Sequence, residues 1–298
     1  MEIIVFDGGL GNQMFQYAFY LAKRKVSKSV CYSTYPIKLE QKHNGYELDT
    51  LFGLQSNFPQ RLGLIILIAR KFHFLQKEER YKTAVKIALG IFKLFGVKII
   101  SEKGVSTYND IYLKHNKGIA FFFGFWQTER YFAHIQNEIR SIYSFNHLNL
   151  SEKSQSLLSL LKTNESVSVH VRRGDFLNVE NEVSHNVCTK DYYDKAIARM
   201  NSLSEKPLFV VFSDDIDWVK QNLSFPDNTV YVDWNSGMDS WQDMYLMSQC
   251  KNNIIANSSF SWWGAWLNVN SNKRVIAPHR FFNDKEAPDV FPEGWITN

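Results

Sequence analysis

The sequence predicts an α/β protein built on parallel, doubly wound sheets. Two observations support this fold class. An apolar segment at residues 2–6 leads through a glycine-rich turn into an amphipathic stretch, which is typical of a strand–loop–helix unit. After residue 156, short apolar segments alternate with amphipathic stretches. Such alternation is typical of parallel sheets in which helices connect successive strands.

Length and composition are those of a globular protein with one or two domains. A chain of 298 residues is long enough for two domains of ordinary size or one large one. The hydrophobic content of 45% and the charged content of 21% predict a soluble globular protein. Three widely spaced cysteines argue against a disulfide framework or a zinc site and favour a reducing cytosol. Residues 1–7 have neither a basic region nor a long apolar run, so no signal peptide or anchor is predicted.

The first predicted unit is a strand at 2–6, the turn Gly8-Gly9-Leu10-Gly11-Asn12 and a helix from about Gln13. Such a unit brings the backbone close to a ligand. The glycine spacing matches neither a Walker loop nor a dinucleotide fingerprint, so the turn alone is weak evidence for phosphate binding. The helical stripe that supports the unit has i, i+3, i+4, i+7 spacing: Phe15, Ala18, Phe19 and Ala22.

Residues 60–115 are predicted to be helical and basic. Between Arg61 and Lys103 there are ten Lys or Arg residues and three Glu residues, a net charge of about +7. The apolar runs at 62–69 and 87–92 are shorter than the roughly 20 residues that span a bilayer. Two interpretations stay open. The helices could lie on an anionic membrane surface, or they could be core-packed with lysines reaching outward.

A polar stretch at 146–156 is predicted to link two domains, at 1–150 and 151–298. The second domain is predicted to alternate strands with helices. The predicted strands are at 167–171, 208–212, 229–232, 253–256 and 274–277. The predicted helices are at about 190–201, 215–223, 239–250 and 260–268.

The most informative motif is His170-Val171-Arg172-Arg173-Gly174-Asp175, which follows the alternating pattern of a half-buried strand. Ligands bind at the carboxyl ends of strands in open α/β sheets. The fixed fork of arginine donors suits phosphate oxygens. The motif therefore predicts an anion site, with a surface basic pair neutralised by Asp175 as the alternative.

Two further motifs follow predicted strands. Asn257, Ser258 and Ser259 precede a helix whose N-terminus could bind an anion, although the serines could act only as caps. Asp215 and Asp217 could bind Mg²⁺ or Mn²⁺, but capping of the helix by Ser213 or Asp214 is the commoner use and is favoured. Three tryptophans are predicted to pack in the core: Trp262, Trp263 and Trp266.

Together, three blocks closely resemble the bacterial α-1,2-fucosyltransferase family. The resemblance implies a GT-B architecture, with two Rossmann-like domains facing across a cleft and GDP-fucose held mainly by the C-terminal domain. It also implies inverting transfer of L-fucose to O2 of a terminal β-galactose of an oligosaccharide, with no cofactor and no metal. The blocks are Gly8 to Ala18, His170 to Asp175, and Asn257 to Leu267.

The resemblance also implies roles for single residues. Arg172 and Arg173 would bind the pyrophosphate with His170 nearby. Because a general base must deprotonate the acceptor hydroxyl, we expect Asp175 to be that base or to orient Arg172. Further donor contacts are expected from Asn257, Ser258, Ser259, Asp243 at the guanine edge, and Asn12. The glycine loop with Gly9 would contact the acceptor. His185, in the polar loop 177–189, could also contact the acceptor, although a solvated loop histidine is the favoured interpretation.

Other functions stay open at this point. A related GT-B transferase with another donor or linkage would carry the same motifs, and a non-catalytic sugar-nucleotide or glycan binder would use similar loops. The expected partners are GDP-fucose and a galactose-terminated or lipid-linked glycan, in O-antigen or capsule biosynthesis, with no nucleic acid. The expected location is the cytoplasm, with contact at the inner membrane face if the basic helices bind lipid.

Overall fold

The computed structural model describes residues 1–41, 43–174 and 182–298. The chain divides between Ser144 and Phe145 into two compact units. Each unit contains its own parallel sheet with helices between the strands, so the predicted α/β class is confirmed. In these described ranges, no helix is both long and apolar enough to cross a membrane.

The N-terminal unit has a parallel sheet in the order β2-β1-β4-β3. Its strands are β1 Glu2–Val5, β2 Val30–Ser33, β3 Val97–Ser101 and β4 Ile119–Phe123. Its α-helices are α1 Leu10–Val26, α2 Tyr35–Glu40, α3 Glu47–Phe52, α4 Gly63–Leu75, α5 Lys82–Leu94 and α6 Gln136–Ile142. Short 3-10 helices are Gln60–Leu62, Glu79–Tyr81, Asp110–Tyr112, Glu129–Tyr131 and Ala133–Ile135.

Two predictions about this unit are corrected. Helix α1 begins at Leu10, inside the glycine-rich turn, because the extended Gly9 is its N-cap. The segment 60–115 is not wholly helical, since it includes strand β3. Strand β3 lies at the edge of the sheet and is only half-buried, so its apolar pattern is weak and is easily missed beside two helices.

A buried ion pair joins the first strand of this unit to its first helix. The Nζ of Lys23 lies 2.8 Å from the Oε1 of Glu2, and both side chains are fully buried. The same ammonium group donates to the carbonyls of Tyr112, at 2.8 Å, and Lys114, at 3.0 Å. The pair is therefore compensated by hydrogen bonds, and removal of one partner would leave an uncompensated buried charge.

We expect Lys23→Met to lower the free energy of unfolding by about 3 kcal/mol, because Glu2 then stays buried without its cation. Urea titration followed by circular dichroism measures the loss. The matched control is the double variant Lys23→Met with Glu2→Gln, which removes both charges and is expected to recover part of the stability. A single variant as stable as the wild type would contradict this account.

The C-terminal unit has a parallel sheet in the order β10-β9-β8-β5-β6-β7. Its strands are β5 Ser166–Val171, β6 Leu208–Ser213, β7 Val230–Val232, β8 Asn252–Ile254, β9 Val275–Ala277 and β10 Ile296–Thr297. Its α-helices are α7 Glu152–Thr163, α8 Glu182–His185, α9 Lys190–Leu203, α10 Ile216–Asn222, α11 Trp241–Gln249 and α12 Ser259–Leu267. A short 3-10 helix spans Gly237–Asp239. The five strands and four helices predicted for this half are confirmed.

Strand β5 is fully buried rather than half-buried as predicted. Helices cover both faces of a parallel sheet, so an alternating strand can be buried on both sides. One face contributes apolar side chains to a core with α9, and on the other face Ser168 accepts a hydrogen bond from Asn253 at 2.7 Å. The predicted polar linker is also partly helical, because Ser151 caps α7 by accepting from the N–H of Ser154.

The connections of this sheet create a switch in strand order. From β5 the chain continues to β6 and β7 on one side, then returns to β8, β9 and β10 on the other. The order therefore reverses between β5 and β8. In open α/β sheets, ligands bind outside the carboxyl ends of the strands at such a switch.

Candidate functional site

The arginine motif and the serine motif meet at this switch. Strand β5 ends at Val171 and is followed by Arg172 and Arg173. The neighbouring strand β8 ends at Ile254 and leads through Ser258 into α12. Because β5 and β8 are parallel and paired in register, both motifs leave the sheet at the same edge.

Two carboxylates from the next strand hold the arginine pair. The Nη1 of Arg172 lies 3.0 Å from the Oδ2 of Asp214, and the Nε of Arg173 lies 3.1 Å from the Oδ2 of Asp215. Asp214 also accepts from the backbone N–H groups of Arg173, at 2.9 Å, and Gly174, at 3.1 Å. The arginine side chains stay 31% and 23% exposed, so they reach solvent while their positions are fixed.

The prediction that a side chain in this loop caps the following helix, α10, is confirmed, but the capping residue differs from the two predicted. Asp215, not Ser213 or Asp214, is the N-cap of α10, and its side chain accepts from the N–H of Trp218. The hydroxyl of Ser213 in turn accepts from the N–H of Asp215 at 3.0 Å. In the part of the chain that the structure describes, no group of three or more His, Cys, Asp or Glu side chains is placed to hold a metal ion.

Trp218 is a member of this site that the sequence analysis missed. The guanidinium carbon of Arg173 lies 3.8 Å from the centroid of a Trp218 ring, which is a close cation–π contact. The signal was available in the spacing, since a residue three positions after a cap lies in the first turn of the same helix. The first turn of α10 thus supplies both the carboxylate and the aromatic ring that hold Arg173.

His170, two residues before Arg172 in strand β5, carries a neutral imidazole. The side chain is buried, and its Nδ1 has no hydrogen-bond partner among the described residues. Burial, and secondarily the charge of Arg172, lower the pKa of His170 to about 3. Its ring centroid lies 5.9 Å from that of Phe260 in the first turn of α12. His170 therefore contacts the second motif without carrying charge.

The serine motif has a capping role, as the alternative interpretation predicted. Ser258 is the N-cap of α12 and accepts from the N–H of Phe260. Asn257 is buried, and its Nδ2 donates to the carbonyls of His185 and Phe281, both at 3.0 Å. The amide of Asn257 thus positions the segment that contains His185. Ser259, the first residue of α12, is partly exposed at the same edge.

Two further predicted residues of this unit are Asp243 and Asp175, and among the described residues Asp243 forms no hydrogen bond or ion pair with the arginine pair. Asp243, in α11, accepts a hydrogen bond from the Nδ2 of Asn235 at 2.7 Å. Burial raises the pKa of Asp243 to about 7. Asp175, predicted as base or as the partner of Arg172, lies outside the described residues.

The glycine turn of the N-terminal unit is held internally. Gly8 has a φ of +83°, and a Cβ there would lie 2.6 Å from the Nδ2 of Asn12. Asn12 accepts through its Oδ1 from the Nε2 of Gln127 at 2.8 Å. Gly9 faces His43, whose ring would lie 3.4 Å from an added Cβ. The carbonyl of Gly9 accepts from the backbone N–H of Asn12 at 3.0 Å. These hydrogen bonds hold Asn12 and Gly9, the residues predicted to touch donor phosphate or acceptor.

Gln13 and Glu47 secure this turn and were not identified from the sequence. The Nε2 of Gln13 donates to the carbonyls of Gly8, at 2.9 Å, and Gly45, at 2.8 Å. The buried carboxyl of Glu47 accepts from the backbone N–H of Leu10. The N–H of Leu10, the first residue of α1, is therefore already bonded to a carboxyl group of its own unit, and burial raises the pKa of that Glu47 carboxyl.

Comparison with known proteins identifies the family. A model of glycosyl transferase family 11 matches residues 1–298. The chain belongs to this family. An alpha-1,2-colitosyltransferase of Escherichia coli is 35% identical over 307 residues, covering 99% of both chains. The O-antigen biosynthesis glycosyltransferase WbnK of Escherichia coli is 30% identical, covering 97% of this chain and 98% of that protein.

More distant similarities involve fucosyltransferases. A galactoside alpha-(1,2)-fucosyltransferase 1 of Aotus azarae is 31% identical over 153 residues, which is 48% of this chain and 42% of that protein. A crystal structure of NodZ alpha-1,6-fucosyltransferase soaked with GDP-fucose matches 89% of this chain and 92% of that one, with a TM-score of 0.47 and 15% identity. The family resemblance is confirmed: the chain is a glycosyltransferase of family 11, with two compact units that each contain a parallel sheet.

We expect the stability of this protein to depend on the ionisation of Asp243. Because burial raises the pKa of Asp243 to about 7, the folded state binds this proton more tightly than the unfolded state. That contribution is present below the unfolded pKa and is lost as the pH rises toward and through about 7. Between about pH 4 and pH 8, urea unfolding should show the wild type losing on the order of 4 kcal/mol more stability than Asp243→Asn, since each pKa unit is about 1.4 kcal/mol. Other titrating groups are common to both proteins, so equal pH profiles would contradict the prediction.

Proposed function

We propose that this glycosyltransferase moves L-fucose from GDP-β-L-fucose to O2 of a terminal β-galactose of an oligosaccharide. The observation that carries the proposal is the arginine pair at the carboxyl end of β5, next to the N-terminus of α12 at the switch in strand order. Arginine donors and a helix N-terminus together suit the two phosphates of a nucleotide sugar.

In this proposal, each part of the donor has its own contacts. Arg172 and Arg173 bind the pyrophosphate, and Ser258 and Ser259 present backbone N–H groups at the start of α12. Asp243 accepts from the guanine edge, which would favour the ionised carboxylate. The partial exposure of both arginines supports their assignment to the pyrophosphate. The raised pKa of Asp243 supports the guanine contact, since a further hydrogen-bond donor would stabilise its buried carboxylate.

The chemistry proposed is an inverting displacement that needs no metal and no cofactor. Cleavage of the bond between the sugar and GDP leaves negative charge on the departing pyrophosphate. Two fixed guanidinium groups and a helix N-terminus stabilise that charge in the transition state. A general base removes the proton from the acceptor hydroxyl. Asp175 stays our candidate for this base or for the residue that orients Arg172, and neutral His170 supports the position of the arginine motif.

A relative that transfers colitose makes GDP-colitose a second candidate donor. The alpha-1,2-colitosyltransferase of Escherichia coli matches this chain over nearly its full length. Colitose lacks the C3 hydroxyl that fucose carries, so both sugars could occupy a site that recognises the GDP group. A competition between GDP-fucose and GDP-colitose for one acceptor gives the ratio of the two kcat/KM values. A ratio in favour of GDP-colitose would replace fucose as the donor and would leave the site assignment intact.

The proposal predicts transfer to galactose that does not depend on a divalent metal. Incubation with GDP-fucose and lactose or N-acetyllactosamine, with and without EDTA, should give fucose α-linked to O2 of galactose, as read by NMR. The reason is that the proposed leaving-group contacts come from protein groups alone. Activity that EDTA abolishes and Mg²⁺ restores would contradict the metal-independent mechanism. Failure to bind GDP, measured by calorimetry, would contradict the arginine assignment.

We expect Arg172→Ala to lower kcat/KM for GDP-fucose by roughly 10-fold to 150-fold, which corresponds to about 1.5–3 kcal/mol for a charge-assisted hydrogen bond. Initial rates at saturating acceptor measure this change. Arg199→Ala is the matched control, because Arg199 is an exposed arginine in the second half of α9, which leads away from the carboxyl edge of β5. Near-normal kinetics for Arg172→Ala would exclude Arg172 from donor binding.

A further inference from the structure

Helices α4 and α5 of the N-terminal unit, which contact each other through Phe72 and Phe92, each expose apolar residues. On α5 the exposed residues Ile87, Ile91 and Leu94 have i, i+4, i+7 spacing, so they lie on one side of the helix. Leu94 is 86% exposed and the adjacent Phe95 is 80% exposed. We call the whole set the α4–α5 face; it comprises Leu64, Ile65, Ile68, Ile87, Ile91, Leu94 and Phe95.

The α4–α5 face is separate from the residues that pack these helices into the unit. Ile66 and Ala69 of α4 belong to the core cluster under the sheet. Phe72 of α4 and Phe92 of α5 join the two helices, with ring centroids 4.9 Å apart. Each helix therefore has one apolar side for the core and another apolar side for solvent. Core packing with lysines reaching outward, one of the two interpretations of the sequence, does not account for the second side.

Basic side chains accompany the α4–α5 face. Lys71 on α4 and Lys86 and Lys93 on α5 are exposed. Among the described residues, no carboxylate lies within ion-pairing distance of these three lysines, whereas Lys82 pairs with Glu79. A surface of apolar residues with lysines beside them is typical of helices that lie in the interface of a membrane.

We propose that the α4–α5 face binds the surface of a lipid bilayer that contains anionic lipids. The two helices would lie along the bilayer, since 13 residues extend only about 20 Å and cannot cross it. The apolar residues would enter the interfacial layer, and Lys71, Lys86 and Lys93 would contact headgroup phosphates. A second copy of this chain fits the face less well, because it would bring two sets of unpaired lysines together.

The opposite side of α4 connects this surface to the glycine turn. Arg70 forms ion pairs with Asp7, at 2.8 Å, and with Glu40. Asp7 in turn accepts from the N–H of Gly8 at 2.8 Å. A bilayer bound on one side of α4 would thus lie one helix away from the turn. Bilayer binding goes beyond the proposed transfer reaction and does not require it.

Co-sedimentation with vesicles tests the proposal on the full chain without any substrate. We expect binding to vesicles of phosphatidylcholine mixed with phosphatidylglycerol, weakening as salt is added, and little binding to phosphatidylcholine alone. The double variant Lys86→Gln with Lys93→Gln should reduce the partition coefficient roughly 30-fold, at about 1 kcal/mol per lysine. Ile87→Gln with Ile91→Gln should reduce it by on the order of 100-fold, since two apolar side chains no longer enter the interface.

Matched controls separate this surface from general charge and hydrophobicity. Lys117→Gln with Lys162→Gln removes the same charge from exposed lysines elsewhere, and Leu160→Gln removes an exposed leucine of the C-terminal unit. Both should bind vesicles like the wild type. All variants should keep the wild-type circular dichroism spectrum and the wild-type turnover of donor with soluble lactose, so a failure of the proposed reaction would not be mistaken for a failure of membrane binding.

Three outcomes would overturn the proposal. The first is no binding to anionic vesicles at low salt. The second is binding that the control variants weaken as much as the α4–α5 variants do. The third is concentration-dependent dimerisation in sedimentation velocity that Ile87→Gln with Ile91→Gln abolishes, which would assign the face to a second copy.

Discussion

The position of β5 in the middle of the C-terminal sheet is the constraint on which the candidate site depends. Because β5 is parallel to both β6 and β8, the loops after these three strands leave the sheet at one edge. Arg172, Asp214 and Ser258 follow three different strands, and the register of the sheet is what brings them to that edge. Burial of β5 on both faces keeps that register fixed, since a slip by one residue would exchange its two faces.

The ion pairs at this edge offset the repulsion between the two adjacent arginines. Two adjacent arginines repel each other and would be mobile if nothing held them. Asp214 and Asp215 hold them through ion pairs, and Trp218 supports Arg173 from one face. Because all of these groups stay partly exposed, their mutual attraction is screened and is worth little in stability. In the proposed function, a pyrophosphate would therefore share the arginine donors without a large loss of energy from these ion pairs.

The two units differ in how they satisfy a helix N-terminus that follows a strand. In the C-terminal unit, α12 is capped by the neutral hydroxyl of Ser258, so the positive end of the helix keeps its attraction for an anion. In the N-terminal unit, the N–H of Leu10 at the start of α1 donates to the buried carboxyl of Glu47, and Gln13 donates to the carbonyls of Gly8 and Gly45. The N-terminus of α12 therefore carries no carboxylate cap, whereas the N-terminus of α1 contacts the carboxyl group of Glu47.

The sequence by itself determined the α/β class, the strands and helices of the second half, the family, and the two loops that form the candidate site. These features are local, since periodicity, caps and short motifs depend on residues close together in the chain. Only the tertiary structure decided that Asp214 and Asp215 pair with the arginines, that Trp218 stacks on Arg173, and that β5 is buried on both faces. It also decided that Glu47 accepts from the N–H of Leu10 and that α4 and α5 expose apolar residues. Each of these depends on contacts between distant segments, and a single sequence carries no record of which distant segments become neighbours.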